Sequence, residues 1–273
     1  MKRLLICSAA VAFATCGAVA ASPPFDHTYG AYGSVLHAHV KPPRVDYARL
    51  KADRGVLDGA VESFNHPTET EERAWSKSQR LAFWINAYNA FTLRAIVDHY
   101  PIRAGWFTLQ PRHSIRQIDG VWTRMTWSAA GRSVTLDDIE HHILRPEFKE
   151  PRVHFAINCA SVSCPPLDAE PYQPAQLDAQ LDAAARRYFA SSEGLQIDGT
   201  TLRVTSILKW YGQDFVERFN GSGFDGRDAV ERAILGVVAA YGPPAAASLA
   251  RSPSARVAFL NYNWSLNDVG PES

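Results

Sequence analysis

The chain has 273 residues, of which 46% are hydrophobic, an ordinary share for a globular protein. Its 28 basic side chains balance 28 acidic ones, so nothing in the charge favours nucleic acid or an anionic membrane surface. The length suits one large domain or two small ones.

The first 25 residues, "MKRLLICSAAVAFATCGAVAASPPF", place Lys2 and Arg3 before an apolar run that ends near Ala14, and small residues follow before Ala21. This layout predicts a signal peptide over 1–20. The apolar run is too short to span a bilayer, and "FAT" is a poor lead-in for a lipidated Cys16. The mature chain is therefore expected to be periplasmic or secreted, with no transmembrane segment. It keeps two cysteines, Cys159 and Cys164, and in an oxidising compartment two cysteines usually form a disulfide.

Residues 21–79 read as an N-terminal extension: loop from Ser22 to Arg44, helix over 45–64, and a link over 65–73. "RLAFWINAYNAFTLRAIVDHY" (80–100) is uncharged from Leu81 to Leu93 and apolar on nearly every side. Such a helix belongs in the core, and Pro101 ends it. Asn86 and Asn89 lie one turn apart on it. A buried amide without partners costs about 1–3 kcal/mol, so they tie down a neighbouring loop or face a pocket.

Residues 120–136 read as strand, turn and strand. Thr135 with Asp138 predicts the start of a helix over 136–145, ending before Pro146. At about 100° per residue, Glu140 falls in its apolar stripe with Ile139 and Ile143, and His141 and His142 fall on the flanks. A carboxylate there is paired or protonated. It serves as general acid or base, orients a histidine, or pairs with Arg145 or Arg152.

"RVHFAIN" (152–158) reads as a strand. Alternation puts His154, Ala156 and Asn158 on one face and Phe155, Ile157 and Cys159 on the other, which separates His154 from Cys159 unless the chain turns at Asn158. The C-x4-C spacing of Cys159 and Cys164 is too wide for a thioredoxin-like pair. Those cysteines with His141, His142 or His154 are numerous enough for zinc, but the spacing is not diagnostic. A nucleophilic cysteine needs a lowered pKa, and Pro165 and Pro166 leave little helix behind Cys159 to supply it. Beyond lie a helix over 174–192, a hairpin over 195–204 turning near Asp198-Gly199, helices over 207–219 and 226–242, and a strand beginning "RVAFLNYNWSLN" (256–267). There is no repeat and no convincing linker, so the fold class is α+β: a single mixed helix/strand domain with a buried apolar helix and a small sheet.

"FWINAYNAFTLRAIVDHYP", "VTLDDIEHHILRP", "EPRVHFAINCASVSCPPL", "LKWYGQDF" and "YNWSLN", in this order, resemble the domain of unknown function 547 family, here as an exported bacterial member. The resemblance spans about 80–267. Asn86, Asn89, Glu140, His141, His154, Asn158, Cys159 and Cys164 fall within its motifs. It implies no particular chemistry, because the family is named for lacking an assigned activity.

Two functional readings stand, with a third behind them. In one, an exported enzyme carries out acyl transfer or amide hydrolysis. Its nucleophile is Cys159, His154 or His141 is the base, Glu140 is the orienting carboxylate, and Asn86, Asn89 or Asn158 are polar donors. In the other, a non-catalytic binding or structural module holds a Cys159–Cys164 disulfide and a satisfied polar network. The third is metal binding. The pattern calls for no cofactor.

Overall fold

An uncharged, largely apolar run with a capping box in front of it forms the centre of the molecule. In the computed structural model, which describes residues 24–103, 108, 110–221 and 226–270, this run is α5 (Lys77–His99). Ser76 accepts from the Gln79 amide at 3.2 Å, and Gln79 Oε1 accepts from the Ser76 amide at 2.9 Å, satisfying two of the donors that a helix start leaves open. All residues from Leu81 to Leu93 are buried. The 1–20 leader, with Cys7 and Cys16, lies outside the described residues.

Around α5 pack α1 (Gly30–His39), the short ribbon β1 (Val40–Lys41) and β2 (Arg44–Val45), α2 (Tyr47–Ala52), α3 (Arg54–Ser63) and α4 (Glu69–Ala74). Two of these correct the sequence expectation. Residues 22–44 do not form only loop, and 65–73 is not only a link. Glycines and histidines give α1 weak intrinsic propensity, but Tyr32, Val35 and Leu36 bury one side of it. Tertiary packing overrides propensity there. The α4 helix starts on a capping box between Thr68 and Glu71.

The hairpin β3 (Trp127–Ala129) and β4 (Arg132–Val134) leads to a π-helical segment, Asp138–Phe148. Thr135 Oγ1 accepts from the Asp138 amide at 3.0 Å, and Asp138 Oδ2 accepts from the Thr135 amide at 2.9 Å. The start is thus where the sequence puts it, but the helix runs through Pro146 instead of stopping at Arg145. The wider π turn still leaves Glu140 buried, His141 half-buried and His142 exposed.

The second half adds α6 (Leu177–Phe189), the hairpin β5 (Leu195–Asp198) and β6 (Thr201–Val204), α7 (Ser206–Tyr211), α8 (Val216–Phe219), α9 (Ala229–Tyr241), α10 (Pro244–Ala250) and β7 (Arg256–Phe259). The sheet order is β5-β6-β7, antiparallel then parallel. Gly199, at φ 57°, permits the two-residue turn after Asp198. The fold is mixed α+β. No helix among the described residues is long and apolar enough to cross a membrane.

The apolar core has two parts. One surrounds α5 and takes in Val153, Ala156, Ile157 and Ala160. The other joins α6, α9 and the three-stranded sheet and takes in Phe155. Residues 153–157 therefore run along the seam between them. This segment is not the expected strand: Pro151–Phe155 is a 3-10 turn and 156–158 is loop. A continuous apolar run looks the same whether a strand or a short turn is buried on all sides.

Candidate functional site

The seam opens into a cavity of about 510 Å³, within the size range of small-molecule sites. Its lining includes Glu140, His141, His154, Cys159 and Cys164. Three separate segments thus bring an acid, two imidazoles and two thiols to one hollow.

His154 enters from the 3-10 turn, so strand alternation does not separate it from Cys159. Its side chain is 2% exposed, and its Nε2 lies 2.8 Å from Asp214 Oδ2. Its ring stacks on Tyr211 with centroids 4.2 Å apart. The same carboxylate takes two bonds from Arg145, Nε to Oδ2 at 2.6 Å and Nη2 to Oδ1 at 3.0 Å. Burial pushes Asp214 up, but the hydrogen bonds from His154 and Arg145 outweigh it and hold the carboxyl well below its usual range. An ionised Asp214 accepts a hydrogen bond from Nε2–H and fixes the ring. Nδ1 makes no hydrogen bond among the described residues and is left to exchange a proton.

His141 is differently committed. Arg145 Nη1 donates to its Nδ1 at 2.8 Å, which occupies that lone pair. Asp137 lies 3.6 Å from its Nε2. A base must have an open lone pair, so His141 is the weaker of the two expected bases.

Glu140 accepts from Tyr88 Oη at 3.2 Å. It does not pair with Arg145, which is bound to Asp214, or with Arg152, which is bound to Glu150, Asp178 and Asp182. Nor does it orient a histidine. That place is taken by Asp214, which the sequence reading did not single out.

Cys159 and Cys164 are free thiols with Sγ atoms 3.0 Å apart, so the expected disulfide is not present. Cys159 Sγ also lies 3.2 Å from Ser161 Oγ and 3.2 Å from Tyr262 Oη. The hydrogen bond between the two thiols lowers the Cys159 pKa to about 7; burial opposes this, and the Ser161 and Tyr262 hydroxyls add to the lowering. Burial, then the bond to Cys159, push the Cys164 thiol well above its ordinary value. Cys159 is therefore the sulfur that ionises, with no helix behind it. Ala160, the next residue, sits at φ 59°, a left-handed conformation unfavourable for alanine. Among the described residues no group of three or more His, Cys, Asp or Glu side chains is arranged to hold a metal ion.

The three asparagines bond to backbone: of the two roles open for Asn86 and Asn89, a loop tie or a place facing a pocket, their bonds are those of a tie, and none of the three lines the cavity. Asn86 exchanges two bonds with Tyr172, donating to its carbonyl at 2.8 Å and accepting from its amide at 2.9 Å. Asn89 donates to the Ala156 carbonyl at 3.0 Å and accepts from the Asn158 amide at 2.8 Å. Asn158 donates to the Pro165 carbonyl at 2.7 Å and accepts from the Ala160 amide at 2.8 Å. Together Asn89 and Asn158 clamp the turn that carries Cys159.

The facing wall is aromatic. Tyr262 and Trp264 lie with ring centroids 4.5 Å apart, Trp210 lies 4.9 Å from Tyr262, and Trp122 lies 6.4 Å from Trp264. Residues 263–266 are held by backbone bonds from Val162 to Ser265 at 2.8 Å and from Ser163 to Asn263 at 3.2 Å.

Residues 72–189 match the family model described as "Protein of unknown function, DUF547". The match supports that domain family over this stretch, which carries α5, Glu140, His154 and both cysteines. The DUF547 match ends before Asp214, Tyr262 and Trp264, so part of the cavity wall comes from chain beyond it. No curated protein and no solved structure matches the chain.

The sequence signals for the missed residues were present but local. "LKWYGQDF" contains Tyr211 and Asp214, yet it reads as one amphipathic helix. Arg145 reads as an ion-pair partner for Glu140 and gives no hint that it grips Asp214.

Proposed function

We propose that the protein is a cysteine-dependent enzyme of acyl transfer or amide and ester hydrolysis, with Cys159 as nucleophile, His154 as base and Asp214 as positioning carboxylate. The observation that carries this is a thiol lowered to about 7 on the wall of a cavity that also presents a carboxylate-anchored imidazole. Half-ionisation near neutrality suits a nucleophile.

The chemistry follows from these groups. Cys159 gives its proton to His154, and the thiolate attacks a carbonyl carbon. The C–S bond forms as the bond to the leaving oxygen or nitrogen breaks, and the leaving group takes the proton from His154. Water or a second acceptor then cleaves the thioester and restores the thiol. The Tyr262 hydroxyl, kept protonated by burial and by the neighbouring thiols, lies 3.2 Å from Cys159 Sγ and supplies a hydrogen-bond donor beside the reacting sulfur. The reading includes export, on the leader-like residues 1–20.

A second reading is the non-catalytic exported module; its Cys159 and Cys164 sulfurs are unbonded here but, 3.0 Å apart, are near enough to be joined in an oxidising compartment. Both are tested together. Intact mass after incubation with p-nitrophenyl acetate is expected to show one acetyl group on the Cys159 peptide, absent from Cys159→Ala. Asp214→Asn is expected to slow acetylation by about 10²-fold and to alter its pH profile. No adduct on wild type, with both sulfurs unreactive to alkylation after denaturation without reductant, would establish the module instead.

A further inference from the structure

Among the described residues, Arg116 is the only Lys or Arg that lines the cavity. Its guanidinium carbon lies 4.7 Å from the Trp264 ring centroid, and it has no carboxylate partner among the described residues. Arg145 and Arg152, by contrast, are both engaged by carboxylates. An arginine laid over an aromatic face keeps its fork of N–H groups open in the guanidinium plane, the geometry that takes a carboxylate through two parallel bonds.

Arg116 is exposed, but the turn that carries it is anchored. Arg116 lies in a 3-10 turn, Ile115–Gln117. Its amide donates to Ser114 Oγ at 3.2 Å, and Ser114 and Ile115 are fully buried. The Leu266 amide donates to the His113 carbonyl at 2.8 Å, which locks this turn to the segment carrying Trp264. From Trp264 the wall continues to Tyr262, whose hydroxyl lies 3.2 Å from Cys159 Sγ. One aromatic surface thus runs from the open guanidinium to the sulfur.

We propose that Arg116 over Trp264 is a carboxylate-binding subsite, and that the substrate of the Cys159 site is a small amide or ester whose apolar or planar middle lies along the aromatic wall and whose carboxylate ends at Arg116. This rests on the reading of Cys159 as the nucleophile. A planar, singly charged carboxylate fits the fork. A phosphate dianion fits less well, because Asp137 and Glu140 share the cavity and repel a second negative charge.

Binding is separated from chemistry in the full-length Cys159→Ala protein. Quenching of tryptophan fluorescence by N-acetyl-L-phenylalanine is compared with quenching by its neutral carboxamide. The acid is expected to bind about tenfold more tightly, and Arg116→Gln in the same background is expected to bring the two within about twofold. Arg116→Lys is expected to restore part of the preference, since it returns the charge without the fork. Equal affinities, no saturable binding of the acid, a preference that survives Arg116→Gln, or competition by inorganic phosphate as strong as by the acid would each overturn the proposal. Acetylation of wild-type Cys159 by p-nitrophenyl acetate reads the nucleophile separately. If it proceeds while the acid preference is missing, only the subsite falls. If it fails while the preference holds, the nucleophile reading falls and takes the substrate claim with it.

Discussion

The two sulfurs sit 3.0 Å apart yet are driven in opposite directions. Cys164 is buried and keeps its proton, and its thiol supports the charge on Cys159. Removing that support in Cys164→Ala is expected to raise the midpoint of Cys159 alkylation from about 7 toward the ordinary thiol range. The rate at neutral pH should drop severalfold, while Ser161 and Tyr262 retain part of the effect. The readout is the rate of iodoacetamide labelling against pH, with the labelled peptide identified. The sign for stability follows from linkage. The folded-state value of Cys159 is lowered, so its contribution is complete above the ordinary thiol range and is lost as pH falls through about 7. That slope should flatten in Cys164→Ala, measured as unfolding free energy on both sides of neutrality. A variant whose labelling midpoint stays put would show that Cys164 does not set the ionisation of its neighbour.

At the scale of elements, α5 acts as a frame from which two amides reach different loops. Asn89 satisfies the Ala156 carbonyl and the Asn158 amide, both in the turn that carries Cys159. Asn89→Ala leaves both groups buried without partners and is expected to cost about 2–3 kcal/mol, read by urea denaturation, and to flatten or shift the Cys159 labelling profile. Asn86→Ala frees the Tyr172 backbone instead; it should cost a similar amount of stability and leave the labelling profile in place. If both variants leave that profile unchanged, the clamp does not position the thiol. The long helix was legible because its cues are local: an uncharged run and a terminal proline. The burial of Glu140 and the flanking place of His141 were legible for the same reason. The turn at 151–155 was not, because its burial comes from two cores that meet only in the folded chain. Asp214 was hidden likewise, since its partners His154 and Arg145 lie 60 and 69 residues away in sequence.

At the scale of the whole molecule, the cavity is closed by a segment that contributes little to either core. Of residues 260–267 only Leu266 is a buried member of an apolar cluster, and Tyr262 packs against the edge of the other. Yet this segment supplies Tyr262 and Trp264 to the cavity. It is held mainly by polar ties: Asn267 Oδ1 accepts from Tyr47 Oη at 2.8 Å, and the Asn267 amide donates to the Ala160 carbonyl at 3.1 Å. A chain ending at Phe259 therefore keeps nearly all of both cores and should still unfold cooperatively. It loses several buried hydrogen bonds, worth on the order of 3–5 kcal/mol together, which a thermal melt reads as a lower midpoint with the transition retained. Loss of the Tyr262 hydroxyl raises the Cys159 labelling midpoint, whereas opening Cys159 to water relieves the burial that pushes the thiol up and lowers it. Tyr262→Phe in the full chain separates the two causes, since it removes the hydroxyl and keeps the wall. The truncated chain should show a larger stability loss than Tyr262→Phe and, because it also exposes the thiol, a lower labelling midpoint than Tyr262→Phe. The wild-type labelling profile in both chains would mean that the terminal segment only covers the site and does not tune it.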